Sequence, residues 1–281
     1  NDELGESMRK VGLVFEKYLL NSEQLPIISS AETIKKIPSA NCCHYSGNII
    51  WSDYFEDFLI SIGEMNHSPL SYLSSEPLDT SSPRGKILFL NVNDSNPEKI
   101  SSSEQSLVRK DILVYGLRNP WKNIEHDGYL FVPDLGDTTQ EELNVIKLSD
   151  YKDNQNSPFL LGWPLFEGVN KTRMLFNNVL LWDKEGQATQ VSPFVNENTN
   201  FPIVYYDHDA PENYRAAIIG GDVIDNPLSK YFNHFVFADY VSQEIFAYDY
   251  INDRLLIFPL DNNFSSKYSY ISSVANNPNK I

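Results

Sequence analysis

Short apolar runs rich in β-branched and aromatic residues alternate along this chain with turn-forming residues. The runs predict strands over 12–20, 48–53, 57–63, 86–92, 111–117, 128–135 and 142–148. In the second half they predict strands over 177–183, 201–208, 216–224, 234–240, 244–250 and 254–260. Asp127-Gly128 and Asn252-Asp253 fall at reversals between such runs, where turn chemistry belongs. Helical periodicity is nearly absent. Residues 7–20 could be laid on a helix, but Val, Phe, Tyr and an interior Gly12 favour a strand there.

Many short strands with regular punctuation make a sandwich, a barrel or a propeller. Hairpins in which an Asp-containing or small turn precedes an aromatic strand recur in "EHDGYLFVPD", "FNHFVFADY" and "SDYFEDFLISIG". Loops 64–85 and 149–176 are longer than hairpins need and are of the kind that build a site on one propeller face. Both features favour a propeller. No low-complexity linker divides the chain, so residues 1–281 read as one domain. The strands above fill little more than three blades of four, and a propeller of the six-bladed type is expected to be partial, lacking some blades. Further polypeptide completing the propeller is the corresponding expectation for a partner.

The composition fits an all-β chain with a sizeable core: 41% of the 281 residues are hydrophobic and 13% aromatic. Acidic residues outnumber basic ones 38 to 22, a formal net charge of −16. That balance argues against nucleic acid and against an anionic membrane surface, both of which need clustered Lys and Arg. No apolar run approaches the ~20 residues of a membrane span, and the N-terminal segment has no signal-peptide pattern. Cys42 and Cys43 are the two cysteines and are adjacent, so they give no disulfide framework and no zinc-ligand spacing. A pair of reduced, partly buried thiols is the simpler reading, a vicinal bridge the other. Four Asn-x-Ser/Thr triplets, at 66–68, 93–95, 170–172 and 263–265, are what chance gives in a chain this rich in Asn and Ser.

The stretch "VYGLRNPWKN" carries the first candidate chemistry. Pro120 holds Asn119 extended and cannot donate to a ladder, which fixes the direction of the preceding side chains. Arg118 offers a planar fork suited to carboxylates and polarised oxygens, and Asn119 a donor and an acceptor. Arg118 either pins a neighbouring loop through its carbonyls or serves a site. The loop "DLGDTTQEE" crowds Asp134, Asp137, Glu141 and Glu142 together, as a solvated acidic turn or as oxygen ligands for calcium, without EF-hand spacing.

The ordered blocks "VYGLRNPWKN", "DLGDTTQEELNVI" and "LLGWPLFEG" resemble the glucose/sorbosone dehydrogenase family. These are six-bladed propellers related to soluble pyrroloquinoline-quinone (PQQ) glucose dehydrogenases, aldose sugar dehydrogenases and the propeller of Hedgehog-interacting protein. "CCHYSGNIIWSDYFEDFLISIGEM", "SSPRGKILFLNVN", "VYYDHDAPENYRAAIIGGDVI" and "HFVFADYVSQEIFAY" extend the likeness over roughly residues 12 to 258. The resemblance implies His44 as the base that accepts a sugar hydroxyl proton while hydride passes to PQQ, a task an imidazole suits. It implies Arg118 and Asn119 as contacts to the quinone oxygens. It implies calcium on the carbonyls of Gly136 and Asp137 and the carboxylate of Glu141. The substrate implied is a soluble sugar or polyol, and the compartment periplasmic or secreted. The sequence departs from the family at Leu161, at the "FEDF" turn, and at Gly63-Glu64 where the family has Gly-Asp. The cations that meet the cofactor's carboxylates are also missing: Ile219 precedes Gly220-Gly221, and "DYVSQEIF" has no basic residue. The alternative is therefore a non-catalytic propeller that binds a protein or glycan partner. A hydrolase-like propeller with calcium in its channel is a third reading.

Overall fold

The computed structural model describes residues 12–38, 43–65, 76–90, 92, 111–151, 157–172, 181–182, 188–189, 198–209 and 214–258. The first half carries β1 (Leu13–Lys17), β2 (Glu32–Ile37), β3 (Ser46–Ser52), β4 (Asp57–Ile62), β5 (Lys86–Phe89) and β6 (Ile112–Tyr115). The middle carries β7 (Ile124–His126), β8 (Tyr129–Asp134), β9 (Gln140–Lys147), β10 (Phe159–Leu160), β11 (Phe166–Glu167) and β12 (Asn170–Lys171). Then come β13 (Leu181–Trp182), β14 (Ala188–Thr189), β15 (Val204–Asp207), β16 (Ile218–Ile224), β17 (His234–Asp239), β18 (Ile245–Asp249) and β19 (Arg254–Phe258).

Every run expected to be a strand contains one. Three sheets dominate: β10-β6-β5-β4-β3, then β15-β9-β8-β7, then the meander β16-β17-β18-β19. The hairpins β1-β2, β11-β12 and β13-β14 stand beside them. Among the described strands the pairings are antiparallel except β10 beside β6, and an isolated bridge between Leu160 and Thr199 is also parallel. These are blades of a β-propeller, as the recurrent hairpins led one to expect. The strand β2, "ETIKKI", escaped the sequence reading because its polar face holds Glu and Lys, yet Ile37 on its other face is fully buried.

Packing between the sheets explains their spacing. Leu59, Ile87, Leu113 and Val114 of the first sheet bury against Leu130, Val132 and Ile146 of the second. Each such side chain contributes roughly 1.5–3 kcal/mol by leaving water. The second and third sheets share an aromatic column. Tyr206, Phe246, Phe237, Phe235 and Phe131 stack in that order, with centroids 4.8–5.8 Å apart and planes within 10–19° of parallel. Such offset contacts add about 0.5–1.5 kcal/mol per pair beyond burial. A bulge between Ile219 and Asp222 interrupts the β16–β17 register. Gly221 allows it, since a Cβ there would sit 1.6 Å from the Val236 carbonyl oxygen.

Candidate active site

Three segments far apart in sequence meet at backbone level. Glu64 N–H donates to the Arg118 carbonyl (2.8 Å), and Met65 N–H donates to the His44 carbonyl (3.3 Å). Gly63 lies between them. A Cβ at Gly63 would stand 1.9 Å from the His44 oxygen and 3.2 Å from the Arg118 oxygen, so only glycine lets the strands approach this closely. The chain approaches through strained backbone, with Cys43, His44 and Ser46 all at positive φ (67°, 50° and 58°).

Side chains converge on Glu64, whose carboxylate is wholly buried. One oxygen, Oε1, lies 3.2 Å from His44 Nδ1 and 3.8 Å from Arg118 Nε. The other accepts a hydrogen bond from Trp163 Nε1 at 2.8 Å. The Arg118 guanidinium in turn lies over the Trp163 ring, 5.6 Å from its centroid. Trp163 is placed by its own N–H, which donates to the Gly116 carbonyl just before Arg118. A buried carboxylate is costly unless paired, and here imidazole, indole and guanidinium surround it.

Arg118 also pins the loop after β8. Its Nη1 donates to the carbonyls of Leu135 (3.1 Å) and Gly136, and Nη2 donates to Asp137 Oδ1 at 2.9 Å. Asp134 receives the backbone N–H groups of Arg118 (2.9 Å) and Asn119 (2.6 Å). Glu167 completes the clasp, its Oε1 accepting from the N–H groups of residues 137 to 140 at 2.7–3.2 Å. Glu141 lies beneath, taking His208 Nε2 on Oε1 (2.8 Å) and the N–H groups of Gly136 and Ile218 on Oε2 (3.1 Å each). Burial raises Asp134 to about 7, against opposing hydrogen bonds from Arg118 and Asn119. Burial likewise lifts Glu141, and lifts Glu142 well above the ordinary range. Burial pulls His208 down, but the hydrogen bond and charge of Glu141 outweigh it and hold the imidazole above its usual value.

The sequence profile of the Glucose / Sorbosone dehydrogenase family matches residues 12–172, more than half of the chain. This chain belongs to that family. No curated protein sequence matches it. Among solved structures it is similar to a glucose dehydrogenase, with TM-score 0.63 at 15% identity, covering 96% of this chain and 68% of that one. It is also similar to the apo form of the soluble aldose sugar dehydrogenase of Escherichia coli, with TM-score 0.57 at 17% identity over 96% of this chain and 69% of that one. The PQQ-bound aldose sugar dehydrogenase of Streptomyces coelicolor gives TM-score 0.55 at 19% identity over 94% of this chain. The chain spans 62% of that enzyme's length.

Within this family frame, His44 and Arg118 both approach Oε1 of Glu64, and Asn119 follows Arg118 in the chain. Arg118 is 8% exposed and Asn119 7%, and two of their atoms, Arg118 Nε and Asn119 Oδ1, have no hydrogen-bond partner. An unmet donor and an unmet acceptor suit the oxygens and ring nitrogens of a quinone such as PQQ, and at that end the residues fit the cofactor. Its carboxylates fare differently among the described residues. Ile219, the residue before Gly220-Gly221 where the resemblance leads one to expect a cation, is buried, and Arg215 is bound to Glu244 at 2.5 and 2.9 Å. Arg173 lies outside the described residues.

Two of the three expected calcium ligands are engaged within the protein. The Gly136 carbonyl faces Arg118, and the Glu141 carboxylate holds His208 and two N–H groups. Among the described residues, no group of three or more His, Cys, Asp or Glu side chains is arranged for a metal. These groups do not offer an open cage. Cys43 is exposed rather than partly buried, and Cys42 lies outside the described residues. Sequence reasoning saw Glu64 only as a replaced aspartate and Trp163 only as part of a motif. Neither Asp134's grip on Arg118 nor the Glu167 clasp had a local signal, since the partners are 15 to 30 residues apart.

Proposed function

We propose that this chain is an oxidoreductase of the quinoprotein sugar dehydrogenase kind, acting on a hydroxyl of a soluble sugar or polyol. The observation that carries the reading is Glu64, held between His44 Nδ1 at 3.2 Å and Trp163 Nε1 at 2.8 Å, beside Arg118. Glu64 accepting from Nδ1–H puts the imidazole lone pair on Nε2, the atom that would take the substrate's hydroxyl proton. The Glu64 carboxylate then stabilises the imidazolium. Arg118, nearly dry and fixed by three partners, is preorganised to steady negative charge growing on an oxygen beside it. When bound, PQQ supplies the acceptor for the hydride, with Arg118 and Asn119 holding its quinone end. Residues 1–281 act as one propeller unit in this reading, and the periplasm or the cell exterior is the compartment that goes with it.

A second reading is a propeller that binds a protein or glycan without chemistry. The buried Ile219 and the Arg215–Glu244 pair favour it, because a multiply charged cofactor needs cations there. One titration separates the two. PQQ added to the purified protein, with calcium present, should give a saturable absorbance change at micromolar concentration and sugar-dependent dye reduction. His44→Ala should then keep the cofactor and lose about 10²–10⁴-fold in turnover. Absence of cofactor binding at that concentration leaves the binding propeller as the function.

A further inference from the structure

Away from the Glu64 cluster, a cavity of about 100 Å³ opens where the C-terminal half of β9 meets β10 and the chain leading into β15. Its lining includes Asn144, Lys147, Asp150, Phe159, Asn200 and Phe201. None of these belongs to the His44–Arg118 centre. The volume is several times what one water requires.

Asn144 marks this cavity as more than a packing gap. It sits on the face of β9 that also carries Glu142 and Ile146, and it is 2% exposed. Its Nδ2 donates to Glu142 Oε1 at 2.9 Å, while its Oδ1 has no partner. The opposite amide orientation would strand Nδ2 instead, so one polar group stays unmet in either case. Buried acceptors in native proteins nearly always find a donor.

We infer that this cavity is a binding subsite for a neutral polyhydroxylated ring. Lys147 and Asp150 bring opposite charges, so neither an anion nor a cation is selected. The amides of Asn144 and Asn200 ask for groups that both donate and accept, as hydroxyls do. Asn200 is already set in place, its Nδ2 donating to the Leu160 carbonyl at 3.1 Å. Phe159 and Phe201 offer aromatic surface to the C–H faces of a ring. Small sites in which a few placed polar groups interrupt apolar walls are the usual form of ligand pockets.

The test uses methyl α-D-glucopyranoside, which has no free anomeric hydroxyl, on the whole protein without added cofactor. Ligand-observed NMR should show binding in the millimolar range. Asn144→Leu should weaken it at least tenfold. So should Phe201→Ala, which alters a half-exposed side chain and spares the core. His44→Ala should leave it within twofold. No binding up to about 100 mM overturns the inference. So does binding that survives both cavity variants and is lost in His44→Ala, or a crystal structure of the soaked protein with water alone in the cavity. Since neither PQQ nor turnover enters the readout, failure here is separate from failure of the dehydrogenase reading.

Discussion

Glu64 keeps its carboxyl group wholly out of water, and three side chains must stay in place for it to do so. Trp163→Phe preserves the ring beneath Arg118 and removes one donor. The stranded carboxylate oxygen should cost about 1–3 kcal/mol in chemical denaturation, with little change in far-UV signal. Gly63→Ala should be harsher, at least ~2 kcal/mol, because a methyl 1.9 Å from the His44 carbonyl forces the two halves of the site apart. It should also lower turnover if Glu64 orients His44, which a steady-state comparison with Trp163→Phe would show. These residues illustrate what a sequence can disclose about a site. His44, Arg118 and Asn119 were legible because each stands in a motif with neighbours of recognisable type. The carboxylate shared by His44 and Arg118 was not legible, since 99 positions separate Glu64 from Trp163 and only the folded sheets bring them together. Arg118 follows the first of the two readings offered for it, pinning the 135–137 loop by its Nη groups, and keeps an unmet Nε besides.

Among elements, the long strands were readable with the exception of β2, and most of the two-residue ones were not. β8, β9, β16, β17 and β18 are five or more residues long and buried on both faces, and they carry enough apolar residues for a strand-like run to show. β10, β11 and β12 have two residues each and owe their existence to neighbours. β11 in particular delivers Glu167 to the four N–H groups of residues 137 to 140, so a minimal element fixes the shape of the turn between β8 and β9. The blade-to-blade contact rests on the aromatic column. Phe237→Ala removes its central ring, fully buried and stacked on both sides. The loss should be about 3–5 kcal/mol, read as a lower midpoint with an unchanged denaturant slope.

At the scale of the whole molecule, buried ionisable groups shape the pH response. Asp134, raised to about 7 by burial, keeps a proton in the native state that the unfolded chain releases near its ordinary 3.8. The native state therefore binds more protons through that window, and stability falls as pH rises from about 4 to 7. Glu141, Glu142 and His208 are raised as well and add to the fall. Lys86 acts in the opposite sense. Its fully buried ammonium donates to the carbonyls of Glu76, Pro77 and Arg84 at 2.7–2.9 Å, and burial lowers it to about 7 from 10.5. Between those values the unfolded chain binds the extra proton, and stability rises with pH. Urea midpoints across pH 4–10 should trace a shallow trough near neutrality, with slopes up to about 1.4 kcal/mol per pH unit for each titrating group. Asp134→Asn should flatten its acid side and Lys86→Met its alkaline side.

The five stacked rings have one more consequence. Near-parallel phenyl and phenol planes at such distances couple their electronic transitions, and a rigid asymmetric stack of this kind rotates polarised light strongly. Because the two end rings belong to one blade and the three between them to its neighbour, that optical band should weaken sharply when the blades part, even while each keeps its own strands. The molecule thus carries a built-in gauge of whether its sheets are docked.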